Sequence, residues 1–391
     1  MTQQTMSTSE VTVSGHVGPG FEAVEKQFED FLGEDPGFSA QLAVYHRGAQ
    51  VIDLTGGPAL SPESVTAVFS CTKGAAAMVM ALLVEDGRLD LDEKVVRYWP
   101  EFAPHGKHRM TVRQLLSHQA GLVNVKGGMA PEELTDSPTA ARLLADARPL
   151  WQPGAGFGYH GLTIGTLMEE LVRRITGRTL QDEYEDRIRG PRGIDFYVGL
   201  PEDLEPRYRP VAPMRLTEAQ EAEAAANTST LDGYFPLALN SPNHMPDIID
   251  GFIAPNRREV RAAGPAGAGG VSSARGLARL YAAALGHIGD RLLSEATIEA
   301  MSQVQIWGRD LVLGFERSLG VVFMKPDQRM NFGSYRAFGH DGAGGALGFA
   351  DPEYDLGFGY VPYPLQYPGG ADPRAIKLSQ LVRGCIRSLE R

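Results

Sequence analysis

The sequence predicts an α/β (α+β) protein in which both ends of the chain build one domain and a mostly helical domain is inserted between them. Three observations lead there. Strand-like runs occur near the start, over residues 40–54, and again over residues 319–361. Between about residues 90 and 200 the apolar residues recur at helical spacing. A chain of 391 residues, 43% hydrophobic and 22% charged, has material for one large or two modest cores. This pattern assigns residues 1–68 and 265–391 to an α/β domain and residues 69–264 to the inserted one.

In chain order, residues 1–17 are polar, lack a basic stretch followed by an apolar one, and read as a disordered tail. Phe21, Val24, Phe28, Phe31 and Leu32 are spaced for an amphipathic helix over residues 21–32. Two strands, 40–46 and 49–54, flank Arg47-Gly48 as a hairpin, and Gly56-Gly57-Pro58 ends it. Helices are expected over residues 111–118, 136–147, 163–177 and 180–188, with Gly177 as a stop residue. Residues 201–263 mix prolines, an acidic alanine-rich piece and aromatic residues, and read as an irregular pocket wall or lid. Tyr234, Phe235, Leu237 and Phe252 in that stretch point to an apolar substrate group of modest size. A helix over 274–285 follows, then strands over 319–324, 336–338, 346–350 and 356–361, and a final helix over 373–389.

The chemistry concentrates where one apolar helix begins. Ser70-Cys71-Thr72-Lys73 leads into a run, residues 75–84, that is apolar on every face and stops at Gly87. An ammonium entering such a helix must be paired, or its pKa must fall. Ser70 lies three residues before Lys73 on the same helical face, so hydroxyl and amine can touch. A neutral amine there can take the Ser70 proton and leave a nucleophile. The Ser70 N–H, at the positive end of the helix, can serve an oxyanion. Taken alone, the tetrapeptide reads first as a capping serine and a snorkelling lysine. Two further motifs change that balance.

The first is a loop, Pro153-Gly154 through Tyr159-His160-Gly161, that ends just before a helix. A phenol beside a neutral lysine can shuttle a proton, provided its own pKa is lowered. The second is His340-Asp341-Gly342-Ala343, set between strands, where glycine lets the backbone approach a ligand. The Ala343 N–H is a candidate second oxyanion donor.

In that order, Ser70-x-x-Lys73, Tyr159 and His340-Asp341-Gly342 resemble the three motifs of the serine β-lactamase and penicillin-binding-protein superfamily. Residues 86–92 and 115–122 resemble its class C-like branch, and the likeness spans about residues 20–390. It implies a class C β-lactamase-like fold, an antiparallel sheet flanked by helices plus the inserted helical domain. Two departures make the chain most similar to family VIII carboxylesterases. The second motif has Gly161 where class C enzymes have Asn, and the third has His340 where they have Lys. An amide donor and a cation suited to a β-lactam carboxylate are thereby lost. The resemblance implies hydrolysis of short-chain or small apolar esters through an acyl-enzyme on Ser70, with Lys73 and Tyr159 sharing the base and acid roles. Ser70 and Ala343 would form the oxyanion hole, and His160, His340, Asp341 and Gly342 would contact substrate. A β-lactamase, a D-amino peptidase or an acyltransferase would use the same residues.

Composition excludes other classes. A formal net charge of -11 with no polybasic stripe opposes nucleic-acid binding. Two cysteines, Cys71 and Cys385, make neither a disulfide framework nor a metal site, and no His-Glu-x-x-His occurs, so no metal or cofactor is expected. Without a Gly-x-Ser-x-Gly elbow the usual Ser-His-Asp route lacks its signature. His118 reads as structural, and His105 and His108 as surface residues. The expected partner is a small ester, with no membrane, a cytoplasmic location and an open question of homo-oligomer formation.

Overall fold

The structure, a computed structural model, describes residues 12–130, 132–133, 136–226, 233–240 and 254–391. Its first six strands are β1 Val13–Val17, β2 Ser39–His46, β3 Ala49–Gly56, β4 Thr66–Phe69, β5 Phe196–Tyr197 and β6 Gly270–Ser272. Five more follow: β7 Ile306–Arg309, β8 Glu316–Leu319, β9 Phe338–Asp341, β10 Leu347–Asp351 and β11 Leu356–Tyr363. The main sheet is antiparallel with six strands in the order β1-β3-β2-β11-β10-β9, so the two ends of the chain meet at the β2–β11 pair.

Helix α1, Glu22–Glu34, and a C-terminal helix cover one face of this sheet. Phe28, Leu32, Leu378, Val382 and Ile386 share a core there with Leu42, Leu54 and Phe358. The other face receives a helix over Ala274–Ala284, capped by the Ser273 side chain. That helix lies close because β11 presents glycine: a Cβ on Gly359 would come 2.2 Å from Ala274 O, and one on Gly357 2.6 Å from Ala278 O. The same helix, with Leu277, Leu280 and Tyr281, joins the sheet to the helical half.

The helical half is built around α2, Thr72–Glu85, which is buried from Thr72 to Leu83 and ends before Gly87 at φ +67°. Helix α3, Val112–Leu116, starts at a reciprocal capping box between Thr111 and Gln114. Ile164, Leu167, Met168 and Leu171 of the helix Thr163–Thr176 enter the same core as α2. That helix ends on Gly177 in the left-handed region.

Three expectations are corrected. Residues 13–17 are not a free tail: β1 pairs with β3 at the sheet edge, and Val13 and Val17 pack on the α1 core. Their polar alternation, Ser14 and His16 facing outward, hides the strand in the sequence. The strand expected over 319–324 lies earlier, at Glu316–Leu319. Val321 and Val322 instead form a buried turn, with Val322 at φ +66° and its N–H on Leu116 O at 2.8 Å. Tertiary packing overrides the valines' preference for extended backbone. The strand expected at 336–338 begins only at Phe338. Residues 201–263 do contain short elements, among them Glu202–Arg207, Glu218–Ala226, Phe235–Ala238 and Arg258–Ala263. Phe252 lies outside the described residues.

Candidate active site

Ser70 stands at the end of β4, which pairs with β6 in a small three-stranded sheet. Phe69 turns the chain there with φ +46°, a conformation that costs a non-glycine residue energy and must be held by its surroundings. Thr72 holds it: its hydroxyl donates to Phe69 O and accepts the Gly270 N–H at 2.8 Å. Cys71 Sγ donates to His340 O at 3.3 Å, tying the same turn to β9. Ser70 therefore precedes α2 rather than sitting in its first turn, and its carbonyl accepts the Lys73 N–H at 3.0 Å.

Lys73 is fully buried, and its three hydrogen-bond partners are specific. Nζ lies 2.9 Å from Ser70 Oγ, 2.8 Å from Gly161 O and 2.6 Å from Gly267 O. Burial pulls its pKa down to about 7, with Asp341 opposing and the Arg317 charge assisting. A neutral amine has two N–H groups and one lone pair. Two carbonyls take the N–H groups, which leaves the lone pair for the Ser70 hydroxyl. Glu169, half-buried on the helix Thr163–Thr176, supports this cradle by accepting the Ala266 N–H at 2.8 Å, beside Gly267.

Tyr159 Oη lies 2.8 Å from Ser70 Oγ, and Lys73 Nζ lies 4.9 Å from its ring centroid. The lowered phenol pKa expected from sequence is not found. Burial and the Asp341 charge push it well above the usual tyrosine value, so the phenol is held as a proton donor. Sequence reasoning saw the neighbouring lysine but not the depth of the ring or the carboxylate.

The remaining candidates separate. His160 is not at the serine pocket surface: it is fully buried, its Nε2 accepts the Leu122 N–H at 2.9 Å and its Nδ1 contacts Gly158 O at 2.7 Å. It holds the Tyr159 loop from behind. His118, also buried, accepts the His160 N–H at Nδ1, and its ring lies 5.4 Å from that of Tyr159. Burial lowers the pKa of both imidazoles, so both stay neutral. His340 lies on β9 with its ring 6.2 Å from Tyr159 and its Nδ1 2.8 Å from Asp341 O. Asp341 accepts the Ala371 N–H at 3.0 Å and so also anchors a loop.

At Gly342 a Cβ would stand 2.3 Å from Val68 O, so only glycine lets the third motif lie against the end of β4. Ala343 then packs with Phe69. Among the described residues neither the Ser70 nor the Ala343 N–H donates a backbone hydrogen bond. Val123, Ala238 and Val312, with half-buried Leu150, Trp151, Tyr234, Phe235 and Leu313, make an apolar wall beside Tyr159. Among the described residues no group of His, Cys, Asp or Glu is arranged to hold a metal ion, and no helix is long and apolar enough to cross a membrane.

A Ser-x-x-Lys whose lysine is buried at the start of the central helix is the motif of the penicillin-interacting serine enzymes. A family model described as Beta-lactamase matches residues 24–372, and the chain belongs to that family. The solved structure of EstA from Arthrobacter nitroguajacolicus Rue61a superposes with a TM-score of 0.87 at 50% identity, covering 97% of this chain and 100% of that one. A family VIII carboxylesterase gives 0.85 at 30% identity, covering 96% and 100%. The Esterase/beta-lactamase LipL of Mycobacterium tuberculosis is 31% identical over 384 residues, 91% of this chain and 84% of its own length.

Proposed function

We propose that this protein is a serine carboxylesterase that hydrolyses small apolar esters through an acyl-enzyme on Ser70. One observation carries the reading: Ser70 Oγ lies between Lys73 Nζ at 2.9 Å and Tyr159 Oη at 2.8 Å, and the other two Lys73 partners are carbonyls. The names of the relatives, a carboxylesterase and an esterase/beta-lactamase among them, support it.

The roles follow from the protonation states. Neutral Lys73 accepts the Ser70 proton as Oγ attacks the ester carbonyl. The Ser70 and Ala343 N–H groups receive the oxyanion. Tyr159, kept protonated, gives its proton to the departing alcohol and regains one from the Lys73 ammonium. Net, the proton moves from serine to alcohol. Water then attacks the acyl-enzyme with the same groups reversed, releasing the acid and restoring Ser70. The apolar wall around Trp151, Tyr234 and Phe235 supports an apolar acyl or alcohol group. A histidine base is not supported, because among the described residues Ser70 Oγ has only Lys73 and Tyr159 as side-chain partners.

The test compares initial rates on a short-chain p-nitrophenyl ester and a chromogenic cephalosporin, for wild type and Ser70→Ala. Expected are ester turnover that drops by at least about 10³-fold in the variant, and little cephalosporin turnover in either. Ester cleavage that survives Ser70→Ala would remove the assignment. Strong cephalosporin turnover would show that His340 in place of lysine does not exclude β-lactams.

A further inference from the structure

The hairpin β7–β8 carries two buried charges that the reaction above does not use. Asp310, fully buried in its turn, accepts three N–H groups at Oδ1: Val312 at 2.8 Å, Leu313 at 2.9 Å and Tyr159 at 3.1 Å. Leu311 N–H reaches Phe157 O at 2.9 Å, so the turn is stitched to the Tyr159 loop. Arg317 on β8 is 5% exposed, with its guanidinium carbon 5.3 Å from the Tyr159 ring centroid. Its Nη1 lies 4.0 Å from Asp310 Oδ2, an oxygen that has no hydrogen bond of its own.

A buried arginine that serves only to hold a fold uses its planar fork of five donors. Arg317 makes no side-chain hydrogen bond among the described residues. Burying its charge is costly without such bonds. What it does deliver is a cation against the ring of the tyrosine whose hydroxyl contacts Ser70.

We propose that Arg317 and Asp310 are a positioning pair for the serine centre: the carboxylate fixes the Tyr159 backbone, and the guanidinium places a permanent positive charge beside the Tyr159 ring and near Lys73. The inference rests on the Ser70, Lys73 and Tyr159 roles given above. Its chemistry is electrostatic. A fixed cation disfavours a second one, so it helps hold Lys73 neutral, while Asp341 on β9 acts the other way. Among the described residues, the other titratable groups facing this centre are Cys71 just before α2, His118 behind the Tyr159 loop, His160 beside Tyr159 and His340 on β9.

The experiment measures kcat/KM for the p-nitrophenyl ester from about pH 5 to 10 in wild type, Arg317→Met, Arg317→Lys and Asp310→Asn, with melting curves alongside. In Arg317→Met the acidic limb should move up by on the order of one pH unit, the effect of one charge removed from several ångströms away. Activity at about pH 7 then falls about fivefold, approaching about tenfold at lower pH, and returns at alkaline pH. Arg317→Lys should keep the limb in place. Asp310→Asn keeps the amide oxygen for the three N–H groups but leaves Arg317 unopposed, so its limb should move the opposite way, to lower pH. Structural damage alone would lower all rates without shifts of opposite sign.

Limbs that coincide in wild type, Arg317→Met and Asp310→Asn would overturn the pair. So would an Arg317→Lys profile displaced upward by a full unit. If Arg317→Met does not fold, the Arg317→Lys and Asp310→Asn limbs decide. A wild-type profile without a limb near 7, or an active Ser70→Ala, would instead overturn the roles of Lys73 and Ser70.

Discussion

Lys73 and Lys107 are both fully buried, and their difference separates the amine we propose as the base from one that only holds structure. Burial lowers both, Lys73 to about 7 and Lys107 to about 8, each opposed by a nearby carboxylate, Asp341 and Asp146 respectively. Each gives a short hydrogen bond to a backbone carbonyl: Lys73 to Gly267 O and Lys107 to Ala147 O, both at 2.6 Å. Lys107 finishes against an aromatic face, 5.4 Å from the Phe102 centroid. Lys73 finishes against a serine hydroxyl. A depressed lysine pKa is therefore a consequence of depth, and reactivity comes from what the lone pair meets.

The largest test of that contrast is Lys73→Met, which keeps the bulk and removes the proposed base. It should cut kcat by about 10³-fold or more while the protein still folds. If activity survives, the amine is not the base. Tyr159→Phe should cost about 10²-fold in kcat by removing the proton donor, with the ring contacts to His118 and His340 kept. An unchanged kcat would assign the leaving-group proton to Lys73 alone.

The pH dependence sharpens the comparison further. With Lys73 as base, kcat/KM should rise about tenfold per pH unit below about 7 and then level off. The raised Tyr159 predicts no alkaline loss near the ordinary tyrosine value. Stability has its own profile. In the unfolded chain both lysines keep a value near 10.5, so above about 7 and about 8 the unfolded state binds more protons than the folded one. Stability therefore rises with pH across those windows, up to the unfolded value. Lys73→Met and Lys107→Met should each flatten this rise in melting temperature, yet only Lys73→Met should alter the rate profile. The smallest effect is on turnover in Lys107→Met, expected within about twofold of wild type. A large loss there would erase the distinction between the two lysines.

Much of this was legible from local patterns. The α1 spacing, the β2–β3 hairpin, the cap at Thr111 and the helix Pro373–Leu389 are written in periodicity and capping residues, and they recur in the structure. β1, β4 and β6 were not: β1 and β6 are short and mostly small or polar, and β4 is four buried residues that carry no alternation of their own. At the site, Ser70 and Lys73 are one helical turn apart, so their contact follows from spacing alone. His160 had a motif position but turned inward, because the loop needed its ring nitrogens for backbone groups. Arg317 and Asp310 had no motif at all.

The sequence by itself determined the family-level features: the order of the three motifs, the apolar helix behind Ser70, and the replacement of a lysine by His340. These are properties of local spacing and residue type. Only the tertiary structure decided the protonation states, because a pKa depends on depth and on charges from distant segments. Asp341, far along the chain from Tyr159, helps push the phenol up, and Gly161 and Gly267 together take the hydrogen bonds that leave the Lys73 lone pair facing serine. Those partners meet only when the strands and helices pack, so no window of sequence contains them.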